Sequence, residues 1–130
     1  MSIAVFDVDE DGSAVCLARV TKEDASHNMV IATTADFSSI TRTVYDEAGT
    51  VVIGPDAMTI NSSLILAAYS TGNIWNNYDS TGFNFENTIP ATAFPEPDRL
   101  YLVVYKLTFT GGSPIVYVKG HARPRTTPGS

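Results

Sequence analysis

FNFENTIPATAFPEPDRLYLVVYKLTF, residues 83–109, holds the strongest strand signal in this chain. From Tyr101 onward, Tyr101, Val103, Tyr105, Leu107 and Phe109 fall on one face of a period-two ladder, and all are apolar or aromatic. The opposite face begins apolar with Leu100, Leu102 and Val104, then turns polar at Lys106 and Thr108. Such a strand is buried on one side throughout and on the other for half its length. It belongs in the middle of a sheet, with something covering its first half. Upstream, Phe83 to Ile89 reads as another strand, with Phe83, Phe85 and Ile89 on one face. Pro90, Pro95 and Pro97 make the connection between the two extended and edge-like.

Working outward, Ile3 to Val8 and Ala14 to Val20 read as strands around the polar run Asp9-Glu10-Asp11-Gly12-Ser13. Asn28 to Thr34 and Ser39 to Tyr45 are rich in β-branched residues and read as the next two. Asp46-Glu47-Ala48-Gly49 turns the chain, Thr50 to Ile53 returns it, and Gly54-Pro55-Asp56 is expected to break that strand. Met58-Thr59-Ile60 resembles a short strand. Asn61-Ser62-Ser63 then offers an N-cap for a short helix over Leu64 to Tyr69, with a strand as the alternative. Ser70 to Gly82 is a long polar loop. After the Leu100–Phe109 strand come a Thr110-Gly111-Gly112-Ser113 turn and a partner strand, Pro114 to Lys119. HARPRTTPGS, residues 121–130, has no apolar periodicity and reads as a tail.

A chain of 130 residues with 44% hydrophobic and 10% aromatic content can bury a core as one domain. Seven or eight short strands with turns every eight to twelve residues and little helix point to a two-sheet sandwich. Tyr101, early in a penultimate strand entered through a Pro-rich corner, is placed like the tyrosine corner of immunoglobulin-like domains. The expected fold is therefore an all-β, immunoglobulin-like antiparallel two-sheet sandwich over residues 1–120, with one short helix and an extended tail over residues 121–130.

The opening MSIAVFDVDEDG has neither a basic nor an apolar leader region, so no signal peptide is expected, and the longest apolar run, Leu64 to Tyr69, is too short to cross a bilayer. All 14 acidic side chains lie at or before Asp98, against Arg19, Lys22 and Arg42. From Arg99 onward there are Arg99, Lys106, Lys119, Arg123 and Arg125 and no acid. An acidic body repels phosphate, so no nucleic-acid partner is expected. An acidic body with a basic tail suits copies or partners that meet tail to body, within the short range that salt permits.

Candidate chemistry is sparse. Asp7-x-Asp9-x-Asp11-Gly12 matches the opening of a calcium loop, but Ala18 stands where that loop needs its bidentate glutamate, and the flanks alternate as strands. A solvated acidic turn is the preferred reading. His27 lies in a connection and His121 at the root of the tail, there is no Gly-x-Ser-x-Gly elbow, and two histidines with one cysteine lack the spacing of a zinc site. Cys16 alternates with Ala14, Ala18 and Val20, the pattern of a small buried residue. Asn61-Ser62-Ser63 matches a glycosylation sequon, read as chance without a secretory signal. No catalytic, metal-binding or cofactor-binding residue is assigned. The loop GNIWNNYDSTGF mixes Trp75 and Tyr78 with Asn76, Asn77 and Asp79, as binding surfaces do. The plainer reading has Trp75 plugging the end of the sandwich while Asn and Asp form turns.

TVYDEAGTVV (Thr43–Val52), Trp75, and YDSTGFNFENTIPATAFPEPDRLYLVVYKLTFTGG (Tyr78–Gly112) together resemble a group of small β-sandwich structural proteins of tailed bacteriophages. That group carries a Thr-Val-Tyr-Asp strand, a Trp followed by Asp-x-x-Gly-Tyr-Asn-Phe, an Ile-Pro-Ala…Phe-Pro corner and a Tyr-x-Val-x-Tyr strand. Phe83 replaces the usual Tyr of the second feature. The resemblance is weaker before Ile40. It implies a virion component, made in the bacterial host cytoplasm, that decorates the capsid or sits in the neck or tail.

Sequence and resemblance together lead to an expectation of a non-enzymatic homo-oligomeric virion protein that needs no cofactor, nucleic acid or membrane. Its expected contacts with other virion proteins are Trp75, Tyr78, Leu100, Leu102, His121, Arg123 and Arg125. The rival expectation is a carbohydrate- or receptor-binding module using Trp75, Tyr78 and Asp79.

Overall fold

The structure is a computed structural model and describes residues 14–72, 75, 79–96, 99–112 and 114–123, with the backbone alone over residues 2–8. Among the described residues nine strands run in order: β1 (Ser2–Val8), β2 (Ala14–Glu23), β3 (Met29–Ile31), β4 (Phe37–Tyr45), β5 (Val51–Ala57), β6 (Ile65–Ser70), β7 (Phe83–Ile89), β8 (Tyr101–Phe109) and β9 (Ile115–Ala122). They form two antiparallel sheets, one ordered β1-β2-β7-β6 with β3 added beside β2, the other β5-β4-β8-β9. The protein is an all-β sandwich.

The expected alternation on β8 is met at every position. Tyr101, Val103, Tyr105, Leu107 and Phe109 are all buried in the core, where they meet Ala14, Cys16, Ala18 and Val20 of β2, with Phe85 and Ile89 of β7. The Phe85 and Tyr105 rings meet edge to face at 4.9 Å. Cys16 is fully buried, and burial pushes its thiol pKa up, so it packs as a small apolar residue. At the corner before β8, the Tyr101 hydroxyl accepts from the Glu96 amide at 3.0 Å, and the Phe94 ring packs on the Tyr101 ring at 5.3 Å.

Five expectations are corrected. Leu64 to Tyr69 is not a helix: Asn61 makes a single turn, its side-chain oxygen accepting from the Ser63 and Leu64 amides, after which β6 extends along β7. Asn61 thus caps one turn as its type predicts. Extension then wins because it satisfies the outer edge of β7 and seats Leu64 and Ile65 in the core. The described helical segments are single 3-10 turns, at Thr34–Asp36 and Ala91–Ala93.

Gly54-Pro55 does not end β5, which continues to Ala57 through a register shift, while Met58 to Ile60 lies outside the strand. Gly54 has φ +100°, and a Cβ there would stand 2.5 Å from the Arg42 carbonyl oxygen, so only glycine fits this close approach. At the far end, β9 runs on through His121 and Ala122, and Ala122 is buried opposite Tyr101. Those two residues belong to the sandwich rather than to the tail.

Finally, Phe83 does not share a face with Phe85. Asn84 is fully buried, and its side chain lies where a strand backbone would. Its Oδ1 accepts from the Val20 amide, while its Nδ2 donates to the Val20 and Ala32 carbonyls. The amide side chain thus joins β7, β2 and the end of β3, interrupts the alternation, and turns Phe83 outward.

Candidate functional site

The two sheets treat their outer faces differently. On the β5-β4-β8-β9 sheet, the register aligns Val51, Tyr45, Leu102 and His121 side by side across all four strands. Directly opposed residues in an antiparallel ladder point to the same side, so these four form one row on the outer face. Leu102 and Tyr45 are half-buried, His121 is exposed and Val51 is 47% exposed. The row borders a groove of about 390 Å³ lined by Tyr45, Asp46, Glu47, Gly49, Leu100, Leu102 and His121. Further along the face come half-buried Val104 with Lys119, then Lys106 with Tyr117, then Thr108 with Ile115. Tyr117 and Ile115 are exposed, and the Lys119 ammonium lies 5.6 Å from the Tyr117 ring centroid.

Among the described residues this row keeps part of its surface open. The expected cover over the first half of β8 is partial: Leu100, Leu102 and Val104 are each half-buried. The groove's acidic end is built by the β4–β5 turn. Asp46 Oδ1 accepts from the Ala48 and Thr50 amides, and Gly49 takes φ +83° to close the turn. Glu47 reaches across to accept from the Leu100 amide at 2.9 Å, which ties the turn to the entry of β8. A second hollow, of about 200 Å³, adjoins it and is lined by Asp46, Glu47, Ala48, Glu96, Arg99 and Tyr101. Carboxylates thus stand along one end of an apolar floor.

On the outer face of the β1-β2-β7-β6 sheet, Trp75 covers the middle strands. Trp75 is 0% exposed and packs with Val15, Leu17, Phe83 and Leu66 in a second core. Its ring lies 5.7 Å from that of Phe83. Asp79 holds the loop down: its Oδ1 accepts from Trp75 Nε1 at 2.8 Å and from the Thr81 and Gly82 amides, and its other oxygen pairs with Arg19. The Gly82 amide, the Trp75 indole and Arg19 together hold the Asp79 carboxyl below the usual carboxylate range, against the opposing effect of desolvation. Gly82 is pressed against β6, where a Cβ would stand 2.3 Å from the Ser70 carbonyl oxygen.

Of the expected contact residues, the structure brings Leu100, Leu102 and His121 together in one groove. It places Trp75 elsewhere, on the opposite sheet and fully buried. A stacking platform for a sugar needs an open ring face, and Trp75 has none here, which corrects its reading as a surface contact. It plugs the flank of a sheet rather than the end of the sandwich. Arg123 directly follows β9. Tyr78, Arg125 and the Asp9–Asp11 part of the acidic turn lie outside the described residues. The residues sequence reasoning missed are Val51, Tyr45, Asp46 and Glu47. The Asp-Glu-Ala-Gly turn was a signal for them, since a hairpin there sets Tyr45 beside Val51.

Between the sheets, Asn87 Oδ1 accepts from the Tyr105 hydroxyl at 2.6 Å and from Arg42 Nη1 at 2.9 Å. Arg42 is only 8% exposed. This trio is a polar tie across the core. Among the described residues no group of three or more His, Cys, Asp or Glu side chains is arranged to hold a metal ion, and no helix is long and apolar enough to cross a membrane. No protein-family model, curated protein or solved structure matches this chain.

Proposed function

We propose that this chain is a non-enzymatic structural protein that docks onto other proteins of an assembled particle, through the outer face of the β5-β4-β8-β9 sheet. The observation that carries the reading is the row Val51, Tyr45, Leu102 and His121. It is a largely apolar row with a charged margin, partly open, whereas on the other sheet Trp75 covers Val15 and Leu17. Apolar surface ringed by polar groups is the anatomy of a protein-docking patch.

The resemblance of Thr43–Val52 and Tyr78–Gly112 to tailed-phage sandwich proteins supplies the proposed setting: a virion, with capsid, neck or tail proteins and further copies of the chain as partners. The strand orders β1-β2-β7-β6 and β5-β4-β8-β9, and the Tyr101 hydroxyl bonded back to Glu96, support the immunoglobulin-like version of the sandwich.

The test is Leu102→Lys. A docking face loses its partner when a charge enters its apolar floor, because that charge must be desolvated without a counter-ion. Expected is loss of the protein from purified particles, with an unchanged circular dichroism spectrum. Incorporation at the wild-type level would remove the reading.

A further inference from the structure

Resting on the docking reading, we infer that the outer face of the β5-β4-β8-β9 sheet takes a second copy of this chain, about a two-fold axis that lies across the strands between Leu102 and Val104. The spacing of charge along β8 is the first argument. Val103 marks the midpoint. Three residues before it, the Leu100 amide donates to Glu47 at 2.9 Å, and three residues after it stands Lys106. At about 3.4 Å per residue, a carboxylate and an ammonium are thus set about 10 Å to either side of one centre. Glu47 and Lys106 are both exposed, and Lys106 has no carboxylate partner among the described residues.

Symmetry is the second argument. In a two-fold contact, if Glu47 of one copy meets Lys106 of the other, Lys106 of the first also meets Glu47 of the second. An axis across the strands reverses strand direction between the copies and forms both pairs at once. An axis along the strands would bring the two acidic ends together and is opposed by like charge. Asp46 lines the same end as Glu47, and Lys119 stands beside Val104 towards the Lys106 end, so both add to the match. The centre is the third argument. Leu102 of one copy falls on Val104 of the other, and both are half-buried, so the contact covers apolar surface that each still exposes. A partner of another kind would not call for opposite charges at equal distances from one apolar centre.

The experiment is sedimentation of the full chain across micromolar concentrations, as wild type and as charge variants whose folding is checked by circular dichroism. Expected is self-association that Glu47→Lys and Lys106→Glu each weaken at least about tenfold, and that added salt weakens in the same sense. Because Glu47 also accepts from the Leu100 amide, Glu47→Gln serves as a further variant: it keeps an oxygen for that bond while removing the charge, and should weaken association about threefold.

An equimolar mixture of the Glu47→Lys and Lys106→Glu chains should associate again, because a mixed pair sets a lysine against a glutamate at both contacts. A wild-type chain that stays monomeric, or a mixture that does not recover, overturns the pairing of copies. Association that Leu102→Lys leaves unchanged overturns it as well, because the copies then meet on another surface. The docking reading is judged apart, by incorporation of Leu102→Lys into particles: loss from particles without any self-association keeps the face and gives it to a different protein.

Discussion

β2 and β8 are both interior strands with apolar side chains on two faces, yet their outer faces end differently. Val15 and Leu17 of β2 are covered by Trp75 and Phe83, while Leu102 and Val104 of β8 stay half-open beside a groove. Covering the first face took one large aromatic and one carboxylate: Trp75 supplies the area, and Asp79 accepts its indole hydrogen so that the ring can be buried without an orphaned donor. The difference teaches that an apolar flank on this sandwich is closed when the chain spends a loop on it. A flank without such cover stays partly open.

The contrast can be broken most severely at Trp75. Trp75→Ala should cost about 3–5 kcal/mol, read by urea unfolding, because it empties the centre of the second core. A cost under about 1 kcal/mol would mean that the two faces are equally uncovered. Asn84→Ala should come next, at about 2–4 kcal/mol in the same assay. It leaves the Val20 amide and the Val20 and Ala32 carbonyls without their side-chain partner, and it frees the bulge that aims Phe83 at Trp75.

Asp79→Asn sharpens the comparison through pH. The folded Asp79 carboxyl titrates below its unfolded value, so its contribution is fully present above about pH 4. That contribution is lost as pH falls through the lower folded value. Asp36 acts in the same sense: burial would raise its pKa, but hydrogen bonds from Lys22 and Thr33 outweigh it and bring the value down. Thermal melts should therefore show wild-type stability dropping more steeply than that of Asp79→Asn between pH 5 and about pH 2. Parallel curves would exclude this role for the Asp79 carboxylate. The smallest effect on stability is expected at Leu102→Lys, about 0.5 kcal/mol or less, because that side chain is already half-open. A cost comparable to that of Trp75→Ala would show that Leu102 is a core residue after all.

Legibility in the sequence followed the range of the forces involved. The β8 alternation, the Asp46–Gly49 turn and the burial of Cys16 depend on neighbours a few residues away, and each could be read directly. Leu64 to Tyr69 could not, because its local capping chemistry favours one turn of helix while the open edge of β7, some twenty residues later, rewards extension. Phe83 was misread because a period-two pattern assumes an unbroken ladder, and Asn84 replaces a rung with a side chain. Leu100 and Leu102 were visible as an apolar half-face. Their neighbours Tyr45 and Val51 came into view only with the strand order.

Sequence alone determined an all-β domain whose central strand is apolar on one face throughout and on half of the other, because side-chain direction alternates along any extended chain. The tertiary structure decided which of the apolar flanks is sealed and which is open. That choice depends on where a distant loop returns and on which carboxylate meets its indole, and neither is encoded in local periodicity.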